Sequence, residues 1–178
     1  MANTTFSGAV RSENGFTVIS KNATTGTITE GITLDASGVT VSPVSLSDGN
    51  VTLTAATNGN RINIVPDGSQ DNTYTLPSPS AGLHFTFVYG GGAADATDFI
   101  IDTGSDTNYF IGGVTHFDSD AGSGGDEVVP VYSDGDSNSK FQANVPGGAE
   151  VHVLGIDSTN WQIWGYVVSA TAPTFANQ

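Results

Sequence analysis

The stretch Leu83-His84-Phe85-Thr86-Phe87-Val88-Tyr89 limits what this chain can become. Leu83, Phe85, Phe87 and Tyr89 fall at every second position. That is the period of a strand with one buried face. No other strand in the chain puts so much apolar area on one face, and burying one such side chain stabilises a fold by roughly 1.5–3 kcal/mol. Just before it, Thr73-Tyr74-Thr75-Leu76-Pro77 reads as a second strand, joined to the first by a short Pro/Ser/Gly connection. Pro77 lacks an N–H and marks a strand end or edge. Gly82 can supply a positive φ for the turn.

The rest of the second half reads as strands added around this unit: 61–65, 98–103, 108–114, 127–133, 140–145, 150–155 and 160–169. Turn residues separate them, among them Asp67-Gly68, Gly90-Gly91-Gly92, Asp134-Gly135-Asp136 and Pro146-Gly147-Gly148. Short strands at this spacing imply an antiparallel β-sandwich or barrel. Nothing reads as a crossover helix, which argues against an α/β fold.

The first third differs. Only Phe6 and Phe16, of sixteen aromatic residues, lie before Thr57. Short β-branched units recur there: Gly26-Thr27-Ile28-Thr29, Gly31-Ile32-Thr33-Leu34, Gly38-Val39-Thr40-Val41 and Val51-Thr52-Leu53. Their spacing is irregular, as in a loose meander or β-helix-like run rather than a fixed-period solenoid. Such strands need a partner surface. The expected organisation is an N-terminal arm and extended β-meander over 1–56, a main all-β domain over 57–170 and an extended tail over 171–178.

Charge removes several functions. The chain carries 18 acidic and 4 basic residues, a net −14, with Arg11, Lys21, Arg61 and Lys140 scattered. No basic patch could neutralise several phosphates, so nucleic acid is not an expected partner. An anionic membrane would repel it, and no apolar run is long enough for a transmembrane helix. Without cysteine there is no disulfide or thiolate zinc site. Met1-Ala2-Asn3-Thr4-Thr5 has neither a charged n-region nor an apolar h-region, so synthesis in a cytoplasm is expected.

Catalytic signals are weak, and no enzymatic activity is expected. His84, His116 and His152 are far apart in sequence and sit in no metal-ligand motif. There is no Gly-x-Ser-x-Gly elbow, and no Lys follows Gly90-Gly91-Gly92 to make a phosphate loop. Ten acidic residues and no basic one lie between Asp95 and Asp136. Asp118 with Asp120, and Asp134 with Asp136, space carboxylates at alternate positions as calcium loops do. Counting from Asp134, position twelve is Val145, so no EF-hand is completed. Weak Ca2+ binding and plain solvated turns both fit; no other cofactor is expected.

The strand Trp161-Gln162-Ile163-Trp164-Gly165-Tyr166-Val167-Val168 is apolar on both faces. Trp161, Ile163 and Val167 point one way, and Trp164, Tyr166 and Val168 the other. A central strand covered on both sides, a bulge at Gly165, and a subunit interface through Trp161, Trp164 and Tyr166 all account for it.

Three pieces carry a resemblance: Phe6-Ser7-Gly8-Ala9-Val10-Arg11-Ser12-Glu13-Asn14-Gly15-Phe16, Thr75-Leu76-Pro77 with Ala81-Gly82-Leu83-His84-Phe85-Thr86-Phe87, and Asp157-Ser158-Thr159-Asn160-Trp161. In these the chain resembles small β-rich virion structural proteins of tailed phages, particularly marine and cyanobacterial ones. The resemblance implies a capsid decoration protein, trimeric, on the outside of the particle, with the major capsid protein and its own copies as partners. It brings no catalytic residues. An N-terminal arm carrying Phe6, Val10 and Arg11 is the expected capsid-docking element. The alternative is a fibre-tip or adhesin domain that binds a host glycan, for which Tyr109, Phe110, Trp161 and Trp164 are candidates.

Overall fold

The computed structural model describes residues 12–13, 15–35, 38–92, 96–120, 122 and 128–178. The chain divides into two compact units, Met1–Ser42 and Pro43–Gln178. The boundary expected near Thr57 falls instead inside the second unit.

The first unit is a three-stranded antiparallel sheet of β1 (Phe16–Lys21), β2 (Ile28–Asp35) and β3 (Gly38–Val41). Gly26 stands in the β1–β2 connection with a positive φ of 75°, while Ile28-Thr29 and the repeat opened by Gly31 run on as the single strand β2, with no turn at Gly31. Phe16 lies opposite Leu34 and Thr17 opposite Thr33, so these pairs take opposite faces. Thr17 and Thr33 touch through their hydroxyls at 3.3 Å. Val18 and Ile32 alternate onto the side of Phe16 and Leu34, and all four are about half exposed.

The second unit is an all-β sandwich of two mixed sheets, with one short helix. From Val44 to Asp102 successive strands alternate between the sheets. β4 (Val44–Ser45), β6 (Arg61–Val65) and β8 (His84–Tyr89) lie parallel in one, and β5 (Val51–Thr52), β7 (Asn72–Thr75) and β9 (Phe99–Asp102) parallel in the other. The segment thus winds as three rungs of a two-sided coil. The strands on either side of Pro77 do not pair with each other; they belong to opposite sheets. Gly82 does take a positive φ, 84°, in their connection.

A polar ladder runs along the coil. Asn50, Asp71 and Asp98 each immediately precede a strand of the same sheet. Asn50 Oδ1 accepts the Thr73 N–H at 2.9 Å, and Asp71 Oδ1 accepts the Asp98 N–H at 2.9 Å. Each rung start is thereby tied to the next, and backbone donors at the sheet end gain acceptors they would otherwise take from water. Inside the coil, Asn63 is fully buried and donates to the carbonyls of Asn58, Arg61 and Thr86. Asn58 closes α1 (Ala55–Asn58), which Thr54 caps by accepting the Thr57 N–H at 3.1 Å.

The remaining strands complete both layers antiparallel and parallel by turns. β10 (Tyr109–Asp118), β11 (Val128–Tyr132), β13 (Gly148–Gly155) and β14 (Asn160–Ser169) extend the first sheet to the order β11-β10-β14-β13-β8-β6-β4. β12 (Lys140–Ala143) and β15 (Thr174–Ala176) extend the second to β15-β12-β9-β7-β5. The expected C-terminal tail is therefore an edge strand: Phe175 packs 5.2 Å from Phe141 and 6.3 Å from Phe110.

Alternation decides what is inside. Along β13, Ala149, Val151, Val153 and Gly155 face in while Glu150, His152 and Leu154 face out. From β8, Phe85 and Phe87 are fully buried, with Tyr74 of the other sheet 6.4 Å from Phe87 across the core. Burial pushes the Tyr74 phenol up to about 12.

Candidate functional site

The outer face of the seven-stranded sheet is the part of the sandwich where large apolar rings meet solvent. Register lines Ile62, Thr86, His152 and Trp164 in one row across β6, β8, β13 and β14. Ile62 and Trp164 are exposed, as are Tyr166, Phe117, Val128 and Tyr132 on the same face. Tyr166 and Phe117 meet edge to face at 6.1 Å, an arrangement that aromatic quadrupoles favour. β14 is thus a central strand with one face in the core and the exposed Trp164 and Tyr166 on the other.

The predicted interface residues separate accordingly. Trp164 and Tyr166 lie on this open face. Trp161 does not: it is fully buried, packed edge-on 5.8 Å from Phe85. Its indole N–H has no partner. Of the four aromatics proposed for a glycan, Phe110 and Trp161 are in the core and Tyr109 is half buried, leaving Trp164 exposed. Gly165 makes no bulge in the β13–β14 ladder, where it lies opposite Val151 in unbroken register. It is required for another reason. Its φ is 140°, and a Cβ there would lie 2.1 Å from the Glu150 carbonyl oxygen.

Beside Trp164 the fold joins two histidines that the sequence keeps 68 residues apart. His152 faces Trp164 across β13 and β14, ring centroids 5.1 Å apart and planes within 7°. His84 lies 5.5 Å from His152 and 5.7 Å from Trp164, again nearly parallel. His152 Nε2 is 2.9 Å from Glu150 Oε1, and its Nδ1 is 3.2 Å from Thr86 Oγ1 and 3.4 Å from His84 Nε2. A carboxylate only accepts, so Glu150 fixes the hydrogen on Nε2 and leaves Nδ1 as the acceptor of a neutral ring. Burial, and then the charge that His152 can carry, hold His84 below its ordinary pKa. The third histidine stands elsewhere: His116 is buried, with Nε2 2.9 Å from the Ser169 carbonyl oxygen.

Sequence reasoning passed over His84 and His152 because no local spacing links them. The signal available was their alternation: each stands on the outward register of a strand whose inward register is wholly apolar.

The acidic turns do not come together. Asp118 ends β10 and Asp120 follows it, whereas Asp134 and Asp136 follow β11, whose end lies near Gly112. Six residues of extended β10 separate them, on the order of 20 Å. Asp134 is already engaged in its own turn. Its Oδ1 accepts the N–H groups of Asp136, Ser137 and Asn138 at 3.3, 3.1 and 3.0 Å, and the Ser137 hydroxyl donates to Oδ2. The Ser137 hydroxyl, ahead of these backbone donors, holds the carboxyl below its usual pKa. Asp120 donates its N–H to Asp118 Oδ1 at 3.1 Å, and the Asp118 carboxylate raises the Asp120 pKa by side-chain hydrogen bonding and charge. Among the described residues no three His, Cys, Asp or Glu side chains converge to hold a metal ion. The proposed docking residues Phe6, Val10 and Arg11 lie outside the described residues.

No family model matches the chain, and no curated protein sequence matches it.

Proposed function

We propose that this chain is a structural protein of a phage virion, a homotrimer that decorates and stabilises the outside of the capsid. The observation that carries this reading is the open apolar side of the N-terminal sheet, with Phe16, Val18, Ile32 and Leu34 about half exposed. Three short strands gain little stability without a covered face. Nearly every acidic residue lies elsewhere: the first 42 residues hold three, Glu13, Glu30 and Asp35, against two basic ones. Copies of this segment can approach one another with little repulsion, whereas the strongly acidic remainder keeps the particle surface soluble. The sequence resemblance supplies the shell as the partner, and the contacts serve assembly rather than chemistry.

The test is to mix purified protein with undecorated heads and count bound copies. Hundreds per particle support a shell protein; failure to bind heads refutes it. Residues 2–12 are the anchor in this reading, so their deletion abolishes binding while leaving the trimer folded.

The second reading is a fibre-tip or adhesin domain that binds a host glycan. The exposed Trp164 favours it, because its ring stacks on His152, a polar side chain that Glu150 hydrogen-bonds. A few tens of copies per particle or fewer, with binding to host polysaccharide lost in Trp164→Ala, support this reading over the first.

A further inference from the structure

We propose that His84 and His152 form a surface site for a transition-metal dication of the imidazole-binding kind, Zn2+, Cu2+ or Ni2+, with Glu150 as its outer-shell carboxylate. The site goes beyond the assembly reading and stands without it.

The geometry is that of two ligands and one support. His84 Nε2 and His152 Nδ1 lie 3.4 Å apart. A tetrahedral metal with nitrogen bonds of about 2.0–2.1 Å separates its nitrogen pairs by roughly 3.3–3.4 Å. Two imidazoles are already held at the spacing that binding needs, so little ordering remains to oppose it. Neutral imidazole nitrogen prefers these metals over Ca2+ or Mg2+, which take oxygen.

Glu150 adds a second, independent feature. Metal-binding histidines donate the other ring N–H to a carboxylate, which fixes the tautomer and makes the ligand nitrogen more basic. Glu150 Oε1, 2.9 Å from His152 Nε2, stands in that relation. The rings are held in orientation by Trp164, near-parallel to both, and the Thr86 hydroxyl, 3.2 Å from His152 Nδ1, turns away from that nitrogen when a metal takes its lone pair. Both histidines are half-buried at the sheet surface, so water completes the coordination. His116, the remaining histidine of the chain, is buried and makes its own hydrogen bond, and so does not compete.

Trp164 also supplies the readout. The full-length protein is titrated with Cu2+, which quenches a nearby indole, and Zn2+ is then added as competitor. The expected result is saturable quenching at one ion per chain, reversed by Zn2+. His84→Phe and His152→Phe keep an aromatic ring in each place and remove the nitrogen; each raises the half-quenching concentration at least tenfold. Glu150→Gln raises it about tenfold, at the lower end of outer-shell effects. Thermal unfolding of each variant, with and without Zn2+, gives a readout independent of fluorescence: Zn2+ raises the wild-type melting temperature and leaves the two His variants unmoved. Unchanged quenching in either His variant, or the same Zn2+ shift in both, overturns the site.

Discussion

The backbone N–H of Val145 donates to Asp98 Oδ1 at 2.8 Å, and Val145 there holds a positive φ of 41°. A β-branched residue seldom adopts this conformation. Asp98 heads β9 and also receives Gln142 Nε2 at 2.6 Å, so one carboxylate joins the last rung of the coil to the loop after β12. Asp98→Ala leaves the Val145 and Gln142 donors without that acceptor and destabilises by about 1–3 kcal/mol. Val145→Gly relieves the left-handed strain and costs much less than Asp98→Ala. Urea unfolding of the two variants checks the order; a larger loss for Val145→Gly would mean its side-chain packing outweighs the strain.

Gly165→Ala tests the centre of the seven-stranded sheet. The new Cβ meets the Glu150 carbonyl oxygen and comes within 2.9 Å of Val151 Cα, at a φ that only glycine adopts easily. Backbone strain and overpacking of this kind cost at least about 2 kcal/mol together. A melting temperature within a degree of wild type would show that β13 and β14 move apart freely.

Trp161→Phe is expected to be mild. The indole N–H is buried without a partner, at a cost of about 1–3 kcal/mol. Phenylalanine removes that donor but leaves a smaller ring, and the two effects oppose each other. The expected change is within about 1 kcal/mol, well short of the roughly 3–5 kcal/mol for Trp→Ala in a core. A loss of the full truncation size in Trp161→Phe would show that the N–H is satisfied by buried water.

Acid should weaken the sandwich in two stages. His84 has a folded pKa lowered from 6.5, chiefly by burial, so the unfolded chain binds the proton more readily. Its contribution is complete above about 6.5 and is lost as pH falls from there through the folded value. Asp48, Asp134 and Asp157 have folded pKa values below 3.8, led by side-chain hydrogen bonds from Ser69, Ser137 and Asn160 respectively. Their contribution is present above 3.8 and is lost as pH falls through the lowered values. Melting curves from pH 7 to 3 should show both declines, and His84→Phe should remove the upper one alone.

Phe16→Ser with Ile32→Ser tests the proposed trimer. The pair removes half of the exposed apolar row on the N-terminal sheet without touching the sandwich core. Light scattering should then report monomers with an unchanged sandwich melt. A trimer that survives the double substitution places its contacts on the Trp164 and Tyr166 face instead.

Strand positions were readable because alternation is local. The 61–65 and 160–169 stretches are strands with those bounds, and Phe85 and Phe87 are buried as their period requires. Pairing was not readable. Thr73–Leu76 and Leu83–Tyr89 look like neighbours in sequence, but the Pro/Ser/Gly connection crosses between layers. The parallel partner of β8 is β6, across a whole rung. The polar ladder was hidden for the same reason: Asn50, Asp71 and Asp98 recur at unequal intervals, since the intervening loops lengthen. Trp161 and Trp164 show the limit at the site. Alternation put them on opposite faces, but only the layer behind β14 shows which face is covered.

The sandwich ends in strands that give little purchase to another chain. β4 and β5, at one margin of each layer, have two residues apiece; β15 has three, and β11 carries Pro130. Among the described residues these four edge strands thus offer a foreign strand only short or proline-interrupted rows of free N–H and C=O. In the assembly proposed above, identical neighbours would meet often, and a longer first rung would offer each of them a backbone edge to pair with. A two-residue first rung withholds that backbone edge, so in such an assembly side-chain faces would govern how copies meet.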